Sequence, residues 1–138
     1  MSSLIDKSLP QTIRASATLT GTLVASDPVR CENDSHVTVE VDFTKGTGGT
    51  GLELVAETLR EGASTWQPAT VQNAGTPSAG AVAIELLSVT HTMSVTGVRS
   101  ITFPVLGAVQ FRVRAREVGS PSPFGTLAMT AVRARAGG

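Results

Sequence analysis

The sequence predicts an all-β fold, an antiparallel β-sandwich of jelly-roll or immunoglobulin-like type with seven or eight strands. Apolar and polar side chains alternate along Ala108–Val118, where Val109, Phe111 and Val113 are separated by polar residues. The same alternation runs through His36–Thr44. A period of two is typical of a strand with one buried face and one solvated face. Turn-forming runs of Gly, Pro and Ser separate these segments, and this spacing is typical of antiparallel sandwiches and barrels.

Length and composition fit one domain with a surface that carries few charges. The chain has 138 residues, of which 41% are apolar and 16% charged. Average domains carry about 25% charged residues, so the surface is poor in charge. Either neighbouring proteins cover this surface, or the chain is simply a threonine-rich β protein. Residues 1–69 carry five cations and nine carboxylates, net −4, and residues 70–138 carry six arginines and two glutamates, net +4. These opposite charges could pair within one fold or between subunits.

Composition also argues against several classes of protein. Cys31 is the one cysteine, so an intramolecular disulfide and a cysteine-based zinc site are both excluded. No apolar run resembles a secretory signal or a membrane span, so we expect no membrane association. The arginines have almost no aromatic residues between them and the sequence pI is about 6.7, so we expect no nucleic-acid partner.

The first part of the chain is predicted to hold an arm and two strands. Residues 1–14 contain Pro10 and predict an extended N-terminal arm, followed by a single sandwich domain over residues 15–138. Ala15–Ala25 alternates and predicts the first strand, with a bulge or a close backbone approach at Gly21. A polar loop then leads to the strand His36–Thr44.

The middle of the chain is less clear-cut. Lys45–Gly51 predicts a turn, and Leu52–Leu59 fits a strand and a helix equally well by periodicity. We choose the strand because glycine-rich turns and other strands surround it. The following turn is predicted to place Trp66 over one end of the core, and Val71–Ala79 is predicted to be a long loop.

The last part of the chain predicts the remaining strands. Val82–Val89 is one strand, Thr90–Thr96 continues it or returns as another, and Val98–Val105 contains Pro104, which indicates a strand end or a sheet edge. Ala108–Val118 and Gly125–Ala136 are predicted to pair as a β-hairpin with a basic outer face.

Motifs that could carry chemistry are better explained by structure. Residues 46–51 match G-x-G-x-x-G, but no βαβ unit follows, so a hairpin loop explains them better than a nucleotide site. His36 and His91 lack the converging ligands of a metal site, and exposed strand-end positions explain them. The acidic residues alternate with apolar ones and predict solvated positions or cross-strand pairs; they are Glu40, Asp42, Glu53 and Glu57. We therefore expect no catalytic residue, no metal and no cofactor.

The candidate interface combines the arm with the basic face. A lone tryptophan could be a sugar platform, but carbohydrate sites usually stack several aromatic rings, so a core lid or an interface anchor is the better interpretation of Trp66. The predicted partner-contacting residues are Leu4, Ile5, Leu9, Trp66, Arg112, Arg114 and Arg116.

Two stretches resemble small β-sandwich structural proteins of tailed-bacteriophage virions. Residues 37–68 resemble a strand, a Thr-Lys-Gly turn, a second strand and a turn ending in Ser-Thr-Trp, and residues 103–134 resemble the closing hairpin of such domains. The chain departs from the pattern at Glu61-Gly62-Ala63, where Asp-Gly is usual.

The resemblance implies a non-enzymatic virion protein that binds and stabilises a capsid as a decoration or cement protein. It implies the major capsid protein or other virion proteins as partners, and a homo-oligomer, with a trimer favoured. The alternatives are a neck or tail component, or a carbohydrate-binding adhesion module. An enzyme is the least favoured class, because no acid–base pair or metal set is visible.

Overall fold

The chain folds into β-strands joined by turns. The computed structural model describes residues 5–78, 81–87, 90–105 and 107–136, and these contain no helix. Eight of the strands have seven or more residues, and the other five have two to four. The strands are β1 (Ile5–Lys7), β2 (Gln11–Thr18), β3 (Val24–Ala25), β4 (Val29–Arg30), β5 (His36–Thr44), β6 (Gly49–Arg60), β7 (Gln67–Pro68), β8 (Thr70–Ser78), β9 (Ala81–Leu87), β10 (Thr90–Met93), β11 (Gly97–Pro104), β12 (Ala108–Gly119) and β13 (Thr126–Ala136).

Two antiparallel sheets form the sandwich. In the first sheet the order is β1-β13-β5-β11, with β2 also pairing with β13. In the second sheet the order is β10-β6-β12-β3, with β4 beside β12 and β7 beside β6. β8 and β9 form a separate two-stranded hairpin. The predicted antiparallel β-sandwich is therefore confirmed.

The core lies between the two sheets and follows the alternation of the sequence. Along β5, the inward residues Val37, Val39, Val41 and Phe43 are at most 1% exposed. Along β12, Phe111, Val113 and Ala115 are equally buried, and Leu127, Met129 and Ala131 of β13 complete the same cluster. Because side chains point to opposite faces at successive positions, this pattern leaves one polar face on each sheet.

Several predicted elements are confirmed. Leu52–Leu59 is part of β6, so its strand interpretation is correct and the helix alternative is not. β11 ends at Pro104 and lies at the edge of the first sheet, as a strand proline favours. Proline has no backbone N–H to donate, and at the edge of a sheet this leaves no neighbouring strand without a hydrogen bond.

The prediction that residues 1–14 form an extended arm is wrong for residues 5–7 and 11–14, which belong to strands of the first sheet. Ile5–Lys7 pairs with β13, and β2 begins at Gln11, within the range assigned to the arm. Ile13 is 1% exposed and belongs to the core. It is an apolar residue among polar neighbours in the sequence, so it is the side chain of this segment that packs inward. The predicted first strand, Ala15–Ala25, is instead split between β2 and β3, with Gly21 in a bend between them.

Two connectivities also differ from prediction. The segments predicted to pair as a hairpin, β12 and β13, lie in different sheets: β12 pairs with β6, and β13 pairs with β5. Residues 45–48 likewise cross from one sheet to the other and are not a hairpin loop. Alternation predicts which face of a strand is buried, but it does not specify which strand lies beside it. Val71–Ala79, predicted to be a loop, is largely strand β8.

Candidate functional site

The outer side of the second sheet carries the predicted basic residues. Arg112, Arg114 and Arg116, here called the arginine face, occupy alternate positions of β12 and point away from the core. The register places Arg112 opposite Glu57 and Arg116 opposite Glu53 on β6. Directly opposite residues of an antiparallel pair share a face, so the pairing itself brings these charges together.

The geometry is that of a cross-strand ion-pair network. Arg112 donates from Nε to Glu57 Oε1 at 2.9 Å, and Arg114 Nη1 lies 3.5 Å from Glu57 Oε2. Arg116 places both Nε and Nη2 2.7 Å from Glu53 Oε2. Of the two interpretations left open for Glu53 and Glu57, solvated positions or cross-strand pairs, the structure shows cross-strand pairs. Glu57 is shared by two guanidinium groups, so the network has three cations and two carboxylates.

Trp66 extends this network. The guanidinium carbon of Arg112 lies 4.2 Å from the centroid of the Trp66 ring, which is a cation–π contact. Trp66 is half-buried, and Arg112 covers one face of its indole. Because Arg112 points away from the core, this contact places Trp66 on the outer side of the second sheet, so the predicted position over one end of the core is wrong. The interface anchor stays a prediction.

The arginine face has capacity to bind a further anionic group. Arg114 is 36% exposed in its side chain and Arg116 is 38% exposed. A guanidinium group has five N–H donors, and the single contact of Arg114 with Glu57 is 0.6 Å longer than the hydrogen bond of Arg112. A carboxylate from a partner could therefore contact this face without displacing the internal pairs.

The structure divides the predicted interface into two parts. Trp66 and the arginine face lie together on the second sheet, whereas Ile5 lies in β1 at the edge of the first sheet. Leu9 is 87% exposed in the connection between β1 and β2. Leu4 lies outside the described residues. The arm and the arginine face therefore belong to different sheets and do not form one continuous site.

A buried carboxylate is the main polar feature that sequence reasoning missed. Glu117 of β12 is 1% exposed and accepts two backbone hydrogen bonds, from Gly46 N–H at 2.7 Å and from Gly125 N–H at 2.6 Å. It thereby joins the connection after β5 to the connection before β13. The signal was present, because Glu117 follows Val113 and Ala115 at the inward positions of β12.

The glycines around this carboxylate explain the G-x-G-x-x-G match. A Cβ on Gly46 would meet the backbone of Pro123 to Gly125, and a Cβ on Gly125 would meet the carbonyl oxygen of Thr44. Gly48 has a φ of 81°, a conformation that side chains disfavour. The motif thus allows two connections to pack closely, and β6 follows it where a nucleotide site would need a helix.

The remaining candidate residues occupy structural positions. Cys31 is fully buried, and burial raises the pKa of its thiol to about 11. His36 is exposed as predicted, but His91 is half-buried and packs edge-on against Phe103, which corrects its expected exposed position. Within the described residues, no three histidine, cysteine or carboxylate side chains converge as metal ligands. No helix in that part of the chain could span a bilayer.

Comparisons with known proteins place this chain by its fold. No protein-family model and no curated protein sequence matches it. The SPBc2 prophage-derived protein YomS aligns over 97% of this chain and 97% of its own, with a TM-score of 0.53 and 12% identity.

Two further solved structures match with lower scores. A structure of the Bacillus endospore appendages, which form a family of disulfide-linked pili, aligns over 99% of this chain and 96% of its own, with a TM-score of 0.46 and 11% identity. The K1 cleaved adhesin domain of Lys-gingipain from Porphyromonas gingivalis W83 covers 100% of this chain and 94% of its own, with a TM-score of 0.45 and 10% identity.

Proposed function

We propose that this protein is a non-enzymatic structural component of a tailed-phage particle, and that it binds and stabilises the capsid as a decoration protein. The observation that carries the proposal is the end-to-end fold match with a prophage-derived protein, over 97% of each chain. The resemblance of residues 37–68 and 103–134 to virion β-sandwich proteins supports the same conclusion. The match concerns the fold, so the position in the particle rests on that sequence resemblance.

The surface supports a role in binding proteins. Arginine and tryptophan are enriched in protein interfaces, and here Arg112 and Trp66 are stacked on a flat sheet face beside two further arginines. A capsid protein that presents carboxylates could contact this face. Such a contact is weak for one copy but becomes strong when it is repeated over a particle, because linked contacts act together.

Particle composition tests the proposal. Particles purified by density gradient from the encoding strain should contain this chain in a fixed ratio to the major capsid protein, measured by quantitative mass spectrometry. Gold-labelled antibody against the chain should mark intact particles. Recovery of the chain only from the particle-free fraction would overturn the proposal.

Deletion of the coding sequence tests the position in the particle. If this chain is a decoration protein, particles that lack it should assemble complete tails but release their DNA at a lower temperature than wild-type particles. Particles without tails, or with unsealed necks, would instead show a neck or tail component. Complementation with the wild-type sequence is the control for loss of neighbouring gene expression.

A further inference from the structure

The outer side of the first sheet carries an acidic pair. Glu40 and Asp42 occupy alternate outward positions of β5, and both are exposed. We call these two residues the acidic face. Their neighbours across the sheet are small and uncharged: Ser100 and Val98 on β11, and Thr130 and Ala128 on β13. No bulky side chain at these neighbouring positions therefore keeps a partner away from the two carboxylates.

The carboxylates of the acidic face make no ion pair with any residue that the structure describes. Arg14 borders the same surface, but its guanidinium donates to the backbone carbonyls of Leu127, Ala17 and Thr18. Burial lowers the pKa of Arg14.

The acidic face also borders open space. Glu40 and Asp42 line a hollow of about 360 Å³ together with Arg14, Thr12 and Thr130, so two carboxylates face one guanidinium there. Lys7 is on the same side of the sheet, but it pairs with Ala134, four residues along β13 from the neighbour of Glu40. Four residues span about 13 Å, which exceeds the range of a direct ion pair.

The arginine face has the complementary surplus. It carries one more cation than its two glutamates neutralise, and Arg114 and Arg116 are its most exposed members. It lies on the second sheet, whereas the acidic face lies on the first, so the two faces point away from each other. One chain therefore cannot join its own two faces.

We propose that copies of this chain assemble head to tail, with the arginine face of one copy on the acidic face of the next. Both faces are built on strands with their charges two residues apart, so the spacing of about 6.8 Å is the same on each side. Val98, 62% exposed beside Asp42, adds apolar area that the contact would bury. This inference stands independently of the virion proposal.

The type of contact determines the type of assembly. A contact between two different surfaces is heterologous, so it produces a ring when the rotation between copies closes and an open chain when it does not. A trimer built from this contact would be a closed ring. A contact between two identical faces would instead stop at a dimer with two-fold symmetry.

Sedimentation velocity of the full chain tests the assembly. The wild-type protein should be oligomeric at about 0.05 M salt and should dissociate toward monomer at about 0.5 M, because salt screens exposed charges. The variant E40K/D42K and the variant R114E should each weaken self-association at least tenfold, since each reverses charge on one face.

Matched controls separate a local effect from net charge and from misfolding. Glu61→Lys and Lys45→Glu change charge at exposed positions in connections outside both faces, and both should assemble like wild type. The milder variants E40Q/D42N and Arg114→Gln remove charge without reversing it, and the two carboxamides of the first variant keep the size of the carboxylates. They should weaken assembly less than the reversals, with unchanged circular dichroism.

Mixing the two reversal variants identifies the heterologous contact. Each variant retains one intact face, so the intact arginine face of E40K/D42K can bind the intact acidic face of R114E, and an equal mixture should form mixed complexes although neither variant assembles alone. A wild-type chain that is monomeric at low salt would overturn the proposal. So would reversal variants that assemble like wild type, or a mixture that stays monomeric.

Discussion

Replacing Glu117 with glutamine tests whether the buried carboxylate fastens the two connections. The glutamate oxygens accept from Gly46 and Gly125, at 2.7 and 2.6 Å, on a side chain that is 1% exposed. A glutamine has one acceptor oxygen, so its NH₂ group would face one of these backbone donors. One buried N–H then loses its acceptor and meets another donor.

The magnitude follows from the two hydrogen bonds. A hydrogen bond to a charged group contributes about 1.5–3 kcal/mol, and a buried donor left without a partner costs about 1–3 kcal/mol. This loss of stability is partly offset, because burying a neutral glutamine costs less desolvation free energy than burying a carboxylate. We expect the free energy of unfolding of Glu117→Gln to fall by about 2–4 kcal/mol.

Urea denaturation followed by circular dichroism measures this loss, and Trp66, the single tryptophan, gives a second probe. Amide hydrogen exchange should become faster at Gly46 and Gly125 before it changes along β5. Glu61→Gln, at an exposed turn, is the matched control and should change stability by less than about 0.5 kcal/mol. A Glu117→Gln protein as stable as wild type, with unchanged exchange at both glycines, would refute the reasoning.

Three further predictions concern the core, the thiol and the stacked pair. Phe111→Ala should lower the free energy of unfolding by about 3–5 kcal/mol, because Phe111 is fully buried; Val98→Ala on the exposed face is the control in the same urea titration. The thiol pKa of Cys31 rises from 9.0 to about 11 on folding, so the folded state retains a proton that the unfolded state loses. Stability should therefore fall by up to about 3 kcal/mol between those pH values, and Cys31→Ala should lack this component in a pH series of unfolding curves. Arg112→Met and Trp66→Leu should show a coupling energy of about 0.5–1 kcal/mol in a double-mutant cycle, and additive effects would contradict the cation–π contact.

The candidate site was only partly visible in the sequence. Alternation placed Arg112, Arg114 and Arg116 on the polar side of a strand, and the same reasoning indicated cross-strand pairs for Glu53 and Glu57. Their partners were not predictable, because 47 residues lie between β6 and β12 and register depends on the whole sheet. The inward position of Glu117 was readable from its strand, but its two backbone donors come from distant connections.

The sequence by itself determined the all-β class, the inward face of each long strand and the glycine-rich connections, because these follow from local periodicity and local backbone freedom. Only the tertiary structure decided that β12 and β13 lie in different sheets, that residues 5–7 and 11–14 join the first sheet, and that the acidic and arginine faces point apart. The physical reason is that strand pairing is a non-local choice. Many neighbours satisfy the same alternation, and the packing of one shared core selects among them.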